Sequence, residues 1–322
     1  MGWGHWDNGV YRAAAGARAA AGQADFGYTA KMRGVPRHQR KAAPVLDPYK
    51  VQTREARDSA DHPNATPIVV LFDVTGSMGT VPVILQKRLC DLLGLLTRGG
   101  YVDDPQIMVG AIGDDIYDAV PLQVGQFESD NRIDEQLREI YLEGGGGGNK
   151  REGYALGAYF LNTRARTDAW EKRGKKGYVF FIGDELNMER VYAKSITNFL
   201  GDNVRQDLDV EQVYAELQEK WNVYYVLPNM TAYYNDPEIE DHWRGLLGEN
   251  FLRLEDPAAI CDLIAVTIGL TEGAIDLDEG LADLADLDEA NPQAVGAALA
   301  TYLPQTALAI TGGTAGLLPP GL

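Results

Sequence analysis

The sequence predicts an α/β protein, a three-layer Rossmann-like sandwich built on a mostly parallel central sheet. Three observations predict it. Continuous apolar runs at Ile68–Phe72, Tyr178–Ile182 and Val223–Leu227 have the length and composition of strands buried on both faces. Longer stretches with helical apolar spacing separate them. The alternation persists over about 200 residues, as expected of βαβ units that cover both faces of one sheet.

The elements follow in chain order. Residues 1–65 are rich in Ala, Gly, Arg and Pro and have little apolar periodicity. Tyr11–Gly22 can form a short Ala/Arg helix, but it has no hydrophobic face. The segment reads as an arm ordered only by contact with its own body, a neighbouring copy or an acidic partner. At Pro67 the character changes, and Ile68–Phe72 is the first strand. A turn and Pro82 precede a helix over Val83–Leu96. Gln106–Ile112 and Val120–Val124 are the next strands, and a polar helix over Asp130–Leu142 leads to the glycine run Gly144–Gly148. A helix over Glu152–Thr163 follows, with Glu152 read as a cap on its N-terminus. Beyond the strand Tyr178–Ile182, helical stretches run to Trp221. Val223–Leu227 and Phe251–Leu254 complete the sheet, and a helix over Ala258–Leu270 closes a domain of residues 66–270.

Residues 271–322 are read as an acidic linker and an uncharged tail. Thr271–Ala290 holds eight acidic residues and no basic one, and a solvated linker is preferred there to a weak amphipathic helix carrying Ile275, Leu277, Leu281, Leu284 and Leu287. The last 33 residues carry no charge, but Pro292, Pro304 and Pro319 interrupt them and leave no span long enough for a bilayer.

Composition narrows the function. The net charge of −18 argues against a general nucleic-acid binder, because phosphate binding needs a positive field. Residues 1–60 nevertheless hold ten Lys/Arg against five Asp/Glu, so a basic arm sits on an acidic body. Cys90 and Cys261 lie in apolar helical patterns and read as small buried hydrophobes. His5, His38, His62 and His242 are scattered without metal-pair spacing. The N-terminus has no apolar signal region, and the chain reads as soluble and cytoplasmic.

Ligands of open parallel sheets sit beyond the carboxyl ends of the strands, and three features land there. Asp73-Val74-Thr75-Gly76-Ser77 follows the most hydrophobic strand and offers a carboxylate and two hydroxyls at i, i+2 and i+4. Gly144–Gly148 ends in Asn149 before a helix. Asp184 follows the strand Tyr178–Ile182. Hard oxygen donors of this kind suit Mg²⁺, Mn²⁺ or Ca²⁺ rather than zinc.

In these residues the sequence resembles the von Willebrand factor A family over about residues 66–268. The metal-ion-dependent adhesion site of that family combines Asp-x-Ser/Thr-Gly-Ser, a donor from a glycine-rich loop, and an Asp after the fourth strand. Asp73, Thr75 and Ser77 match the first part and Asp184 the last, in Gly183-Asp184-Glu185 where Thr-Asp-Gly is commoner. Asn149 stands where Thr is more usual. The resemblance implies that Thr75 and Ser77 bind the cation directly and that Asp73 and Asp184 act largely through water. It also implies that an Asp or Glu of a partner protein fills an open position. It implies a non-enzymatic interaction module, and bacterial relatives of this type point to an AAA+ ATPase as the partner.

Two other readings stand beside it. The motif is also similar to that of haloacid-dehalogenase-like phosphotransferases, with Asp73 as nucleophile, Lys175 or Lys176 steadying the phosphate and Asp184 holding Mg²⁺. In that reading the glycine loop has no role, and position 75 lacks the usual second acidic residue. Alternatively the chain is a structural subunit of a homo-oligomer or filament, strapped by its arm (Trp3, Trp6, Tyr11) and its tail. Asp114-Asp115 is read as a solvated turn, and Trp221, Tyr224, Tyr225 and Trp243 as core. No Gly-Lys-Ser/Thr follows the glycine run, which argues against a nucleotide loop.

Overall fold

The computed structural model describes residues 4–145, 147–287, 290–300 and 302. Trp3, Gly146, the Cys90 side chain and the apolar tail beyond Tyr302 lie outside the described residues.

The chain opens with α1 (Asn8–Ala20), whose N-cap Asp7 accepts the Val10 amide and which buries no residue. Through β1 (Thr66–Asp73), α2 (Val81–Arg98), β2 (Pro105–Ile112), β3 (Leu122–Val124), α3 (Arg132–Arg138) and α4 (Tyr154–Arg164) it reaches β4 (Gly177–Ile182). Then come α5 (Val210–Lys220), β5 (Trp221–Pro228), α6 (Pro237–Leu247), β6 (Phe251–Leu254), α7 (Ile260–Glu272), α8 (Leu277–Ala285) and α9 (Pro292–Leu299). The six strands form one sheet in the order β6-β5-β4-β1-β2-β3, with only β3 antiparallel to its neighbour. This is the doubly wound order, and the chain reverses direction across the sheet between β1 and β4.

Strand side chains alternate between the two faces, so each buried run divides cleanly. Ile68, Val70 and Phe72 join Ile107, Val109, Phe180, Ile182, Tyr224 and Val226 beneath α2 and α7. Val69 and Leu71 join Met108, Val179, Phe181, Tyr225 and Leu227 beneath α4, α5 and α6. Register reinforces the layers, since Val70 lies between Val109 and Phe180 on the neighbouring strands. Trp221, Tyr224, Tyr225 and Trp243 are all buried, as core aromatics should be, and so is Cys261.

The arm packs on its own body. Trp6 and Tyr11 contact each other and rest on the main core. Arg18 grips Asp134 through two hydrogen bonds of 2.8 and 3.0 Å. Thr29 Oγ1 donates to the Ile140 carbonyl, and the Val124 amide of β3 donates to the Leu46 carbonyl at 2.9 Å. Arg54–Ala56 pairs in parallel with Ala165–Thr167.

Two expectations need correction. The polar helix stops at Arg138 instead of reaching Leu142, because the Gln123 side chain bonds both the amide and the carbonyl of Tyr141 at 2.8 Å and holds that stretch extended beside β3. The acidic segment is not a solvated linker. Asp276 and Glu279 form a capping box that starts α8, Leu284 is buried, and Tyr101 donates to Asp283 at 2.8 Å. Asn291 then caps α9, which buries Val295 and Leu299 and packs against β6. No helix among the described residues is long and apolar enough to cross a membrane.

Candidate functional site at the sheet switch point

Asp73 ends β1, and Asp184 lies just beyond the end of β4, where Phe72 and Ile182 pair across adjacent strands. The first loop is wound so that its donors converge. Asp73 Oδ1 accepts both the Thr75 amide (2.7 Å) and Thr75 Oγ1 (2.6 Å). Thr75 Oγ1 lies 3.2 Å from Ser77 Oγ, which donates to Asp184 Oδ1 at 2.8 Å. Four of the five expected residues therefore form one unbroken polar string across the switch point. Tyr154 donates to Asp73 Oδ2 at 3.2 Å, and the Tyr233 amide donates to Asp184 Oδ2 at 3.1 Å.

The glycine loop is tied directly to this string. The Gly76 amide donates to the Gly145 carbonyl and the Gly144 amide to the Val74 carbonyl. A Cβ at Gly76 would meet the Gly145 oxygen at 3.3 Å, and one at Gly147 would fall 2.4 Å from Asp114 Oδ2 and 2.3 Å from the Tyr117 ring. Neighbours this close leave little room for a side chain at either glycine.

Asn149 is not part of the string. Its Oδ1 accepts the Arg151 amide at 3.3 Å, a local turn contact, and the residue is half-buried. What the loop brings in is Glu152. Asp73, Glu152 and Glu185 each offer an oxygen within 4.8 Å of the others, and all three are buried. A two-residue parallel ladder between Arg151–Glu152 and Leu186–Asn187 sets this arrangement, with the Leu186 amide donating to the Lys150 carbonyl. The Glu185 carbonyl is held from below by Trp243 Nε1 (3.0 Å) and the Tyr225 hydroxyl (3.1 Å). Those two rings stack at 3.8 Å, and Tyr154 meets Trp243 edge-on. Aromatic pairs of this kind contribute about 0.5–1.5 kcal/mol each beyond area burial and give the site a rigid floor. Glu152 therefore does not serve as the N-cap expected of it, a position that Gly153 occupies.

Burial pushes the carboxyls of Asp73, Asp184, Glu152 and Glu185 above the usual range. The Asp184 charge adds to the effect at Asp73, and Asp73 adds to it at Glu152. None of the four forms an ion pair among the described residues, and Glu152 Oε2 has no hydrogen-bond partner. Asp114 and Asp115, expected in a solvated turn, are buried beside the glycine loop. Two cations stand at this rim: Arg37 of the arm, which reaches Asp118 (3.1 Å), Glu143 (3.5 Å) and the Tyr117 carbonyl (3.0 Å), and Lys150, which lies over the Tyr233 ring at 5.8 Å.

The phosphotransferase assignment fails on position. Lys175 and Lys176 precede β4, and β4 runs parallel to β1, so both lie at the end of the sheet opposite Asp73. Lys175 pairs with Glu272 and Lys176 with the Gln218 carbonyl. Neither can steady a phosphate at Asp73.

No protein-family model matches the chain, and no curated protein matches it. Among solved structures it is similar to the pilus adhesin SpaC of Lactobacillus rhamnosus GG in its open conformation, with TM-score 0.44 and 10% identity over 64% of this chain and 30% of that one. It is also similar to proximal thread matrix protein 1 of the mussel byssus (TM-score 0.42, 12% identity, 63% of this chain and 47% of that one). A third likeness is to the vWF domain of the type V pili tip protein Mfa5 of Porphyromonas gingivalis (TM-score 0.39, 11% identity, 63% of this chain and 95% of that one). The chain thus spans under a third of the SpaC chain. Likenesses this distant leave the fold to rest on strand order and register, and they carry no function.

Proposed function

We propose that this chain is a protein-interaction module whose contact is completed through a divalent cation at Thr75, Ser77, Asp73 and Asp184. The observation that carries the reading is the polar string joining these four residues across the switch point. Its donors are all oxygen, and the buried carboxylates beside it form no ion pair among the described residues, a combination that fits Mg²⁺, Mn²⁺ or Ca²⁺. Thr75 and Ser77 would hold the cation directly, and Asp73 and Asp184 would orient their hydroxyls. The bound cation supplies Lewis acidity toward a carboxylate of the partner, an Asp or Glu.

The rim supports a protein as the partner. Ile116 and Tyr117 beside the glycine loop, and Met230 after β5, are exposed large apolar side chains around the same opening. Acidic loops alone would repel an acidic partner, so a cation makes the contact conditional. An AAA+ ATPase is the partner class the resemblance implies, and a pull-down with and without chelator addresses it. The structural-subunit reading is separated by the same chelator, because an oligomer held by arm and tail would survive it.

The test is calorimetric titration of Mg²⁺ and Mn²⁺ into metal-stripped protein, with Ser77→Ala and Asp184→Asn alongside and circular dichroism to check the fold. Loss of binding at the hydroxyl position in both variants is expected. Binding unchanged by either substitution would refute the assignment.

A further inference from the structure

The polar string accounts for Asp73 and Asp184 but leaves Glu152 and Glu185 without a role. Both are inside the protein, with residue exposures of 1% and 7%, and neither makes an ion pair among the described residues. Glu152 Oε2 is a buried oxygen with no hydrogen-bond partner. Its neighbours in the trio are the carboxylates of Asp73 and Glu185, all three within 4.8 Å of one another.

Asp73 stands between two environments. Its Oδ1 is committed to Thr75, on the hydroxyl side, and its Oδ2 accepts from Tyr154. One divalent cation among the hydroxyls would offset two of the four negative charges that Asp73, Asp184, Glu152 and Glu185 carry when ionised. The other two charges would stay unpaired in a buried setting, which is unfavourable unless the carboxyls hold protons or a second cation. Three carboxylate oxygens at this spacing match the ligand preference of a second hard cation. The ladder between Arg151–Glu152 and Leu186–Asn187, with the aromatic floor under Glu185, fixes two of those ligands on rigid backbone.

We infer that Asp73, Glu152 and Glu185 hold a second divalent cation beside the hydroxyl-lined position, with Asp73 shared between the two. The charge argument rests on the reading that the hydroxyl position itself binds a cation. The second cation would draw Glu152 and Glu185 together and stiffen the glycine loop against β4, so the loop would be set before a partner arrives.

The experiment counts Mn²⁺ bound to the metal-stripped full chain by equilibrium dialysis and reads spin coupling between neighbouring ions by electron paramagnetic resonance. Wild type is expected to bind two ions and to show a coupled spectrum. The double variant Glu152→Gln/Glu185→Gln and the single variant Ser77→Ala should each retain one ion and lose the coupling. Gln preserves side-chain size, and far-UV and near-UV dichroism report whether each variant is folded. One ion in wild type, kept by the double variant and lost in Ser77→Ala, would overturn the second site and leave the proposed function standing. Two ions in wild type with both kept in Ser77→Ala would overturn the hydroxyl position, and with it the function. No bound ion in wild type would overturn both.

Discussion

Replacing Asp115 with Asn should stabilise the metal-free protein at neutral pH and much less in mild acid. Asp115 is buried, its Oδ1 has no hydrogen-bond partner, and burial together with the Asp114 charge pushes its carboxyl up to about 6 from 3.8. The folded chain therefore holds the Asp115 proton more tightly than the unfolded chain does. Between about pH 4 and pH 6 the folded state binds more protons, so the wild type loses stability as pH rises through that window. Two pK units correspond to about 3 kcal/mol at neutral pH, of which about 1 kcal/mol is already present at pH 4.5. Asn cannot ionise and avoids that cost, although its buried amide brings a penalty of its own. That penalty does not change with pH and cancels in the comparison. The stability difference between variant and wild type should thus move by about 2 kcal/mol in favour of Asn between pH 4.5 and pH 7. Urea denaturation in chelator at the two pH values measures it. A difference that stays constant across the window would show that Asp115 is not held in a buried, unpaired state.

Two further outcomes follow from the arm and the C-terminal helices. Arg37→Gln removes the cation that rests on Asp118 and Glu143, and it should tighten Mn²⁺ binding roughly two- to fivefold by relieving about 0.5–1 kcal/mol of repulsion, read by titration at low salt. Leu284→Ala opens a gap where α8 meets the core and should cost about 2–4 kcal/mol by thermal or urea denaturation, whereas in a solvated linker it would be silent.

The central sheet was legible because each parallel strand is a local apolar run, and its ends fall within two residues of the expected ones. The first half of the site was legible for the same reason. Asp73, Thr75 and Ser77 lie within five consecutive residues, and their convergence is a property of one turn. Glu152 and Glu185 carry no local signal. They meet because a two-residue ladder joins segments about 35 positions apart, and only the folded register decides whether Asn149 or Glu152 enters the site. The early end of α3 escaped the sequence on similar grounds, since a side chain 18 residues upstream, Gln123, captures the Tyr141 backbone. The α8 segment carries a capping-box sequence, Asp276 with Glu279, a local cue that the density of acidic residues around it masks.

The hydrogen bond from the Val124 amide to the Leu46 carbonyl has a consequence for how copies of this chain meet. β3 is an edge strand, and a bare edge is a template on which another chain can extend the sheet. Here that template is occupied from within, by Leu46 and by Arg54, whose guanidinium reaches the Val124 carbonyl. A chain clipped after residue 54 would keep all six strands of the sheet, yet it would lose the buried Phe26 and Leu46 and present an open seam. The arm therefore shields this edge, and its loss is expected to show as self-association of the chain.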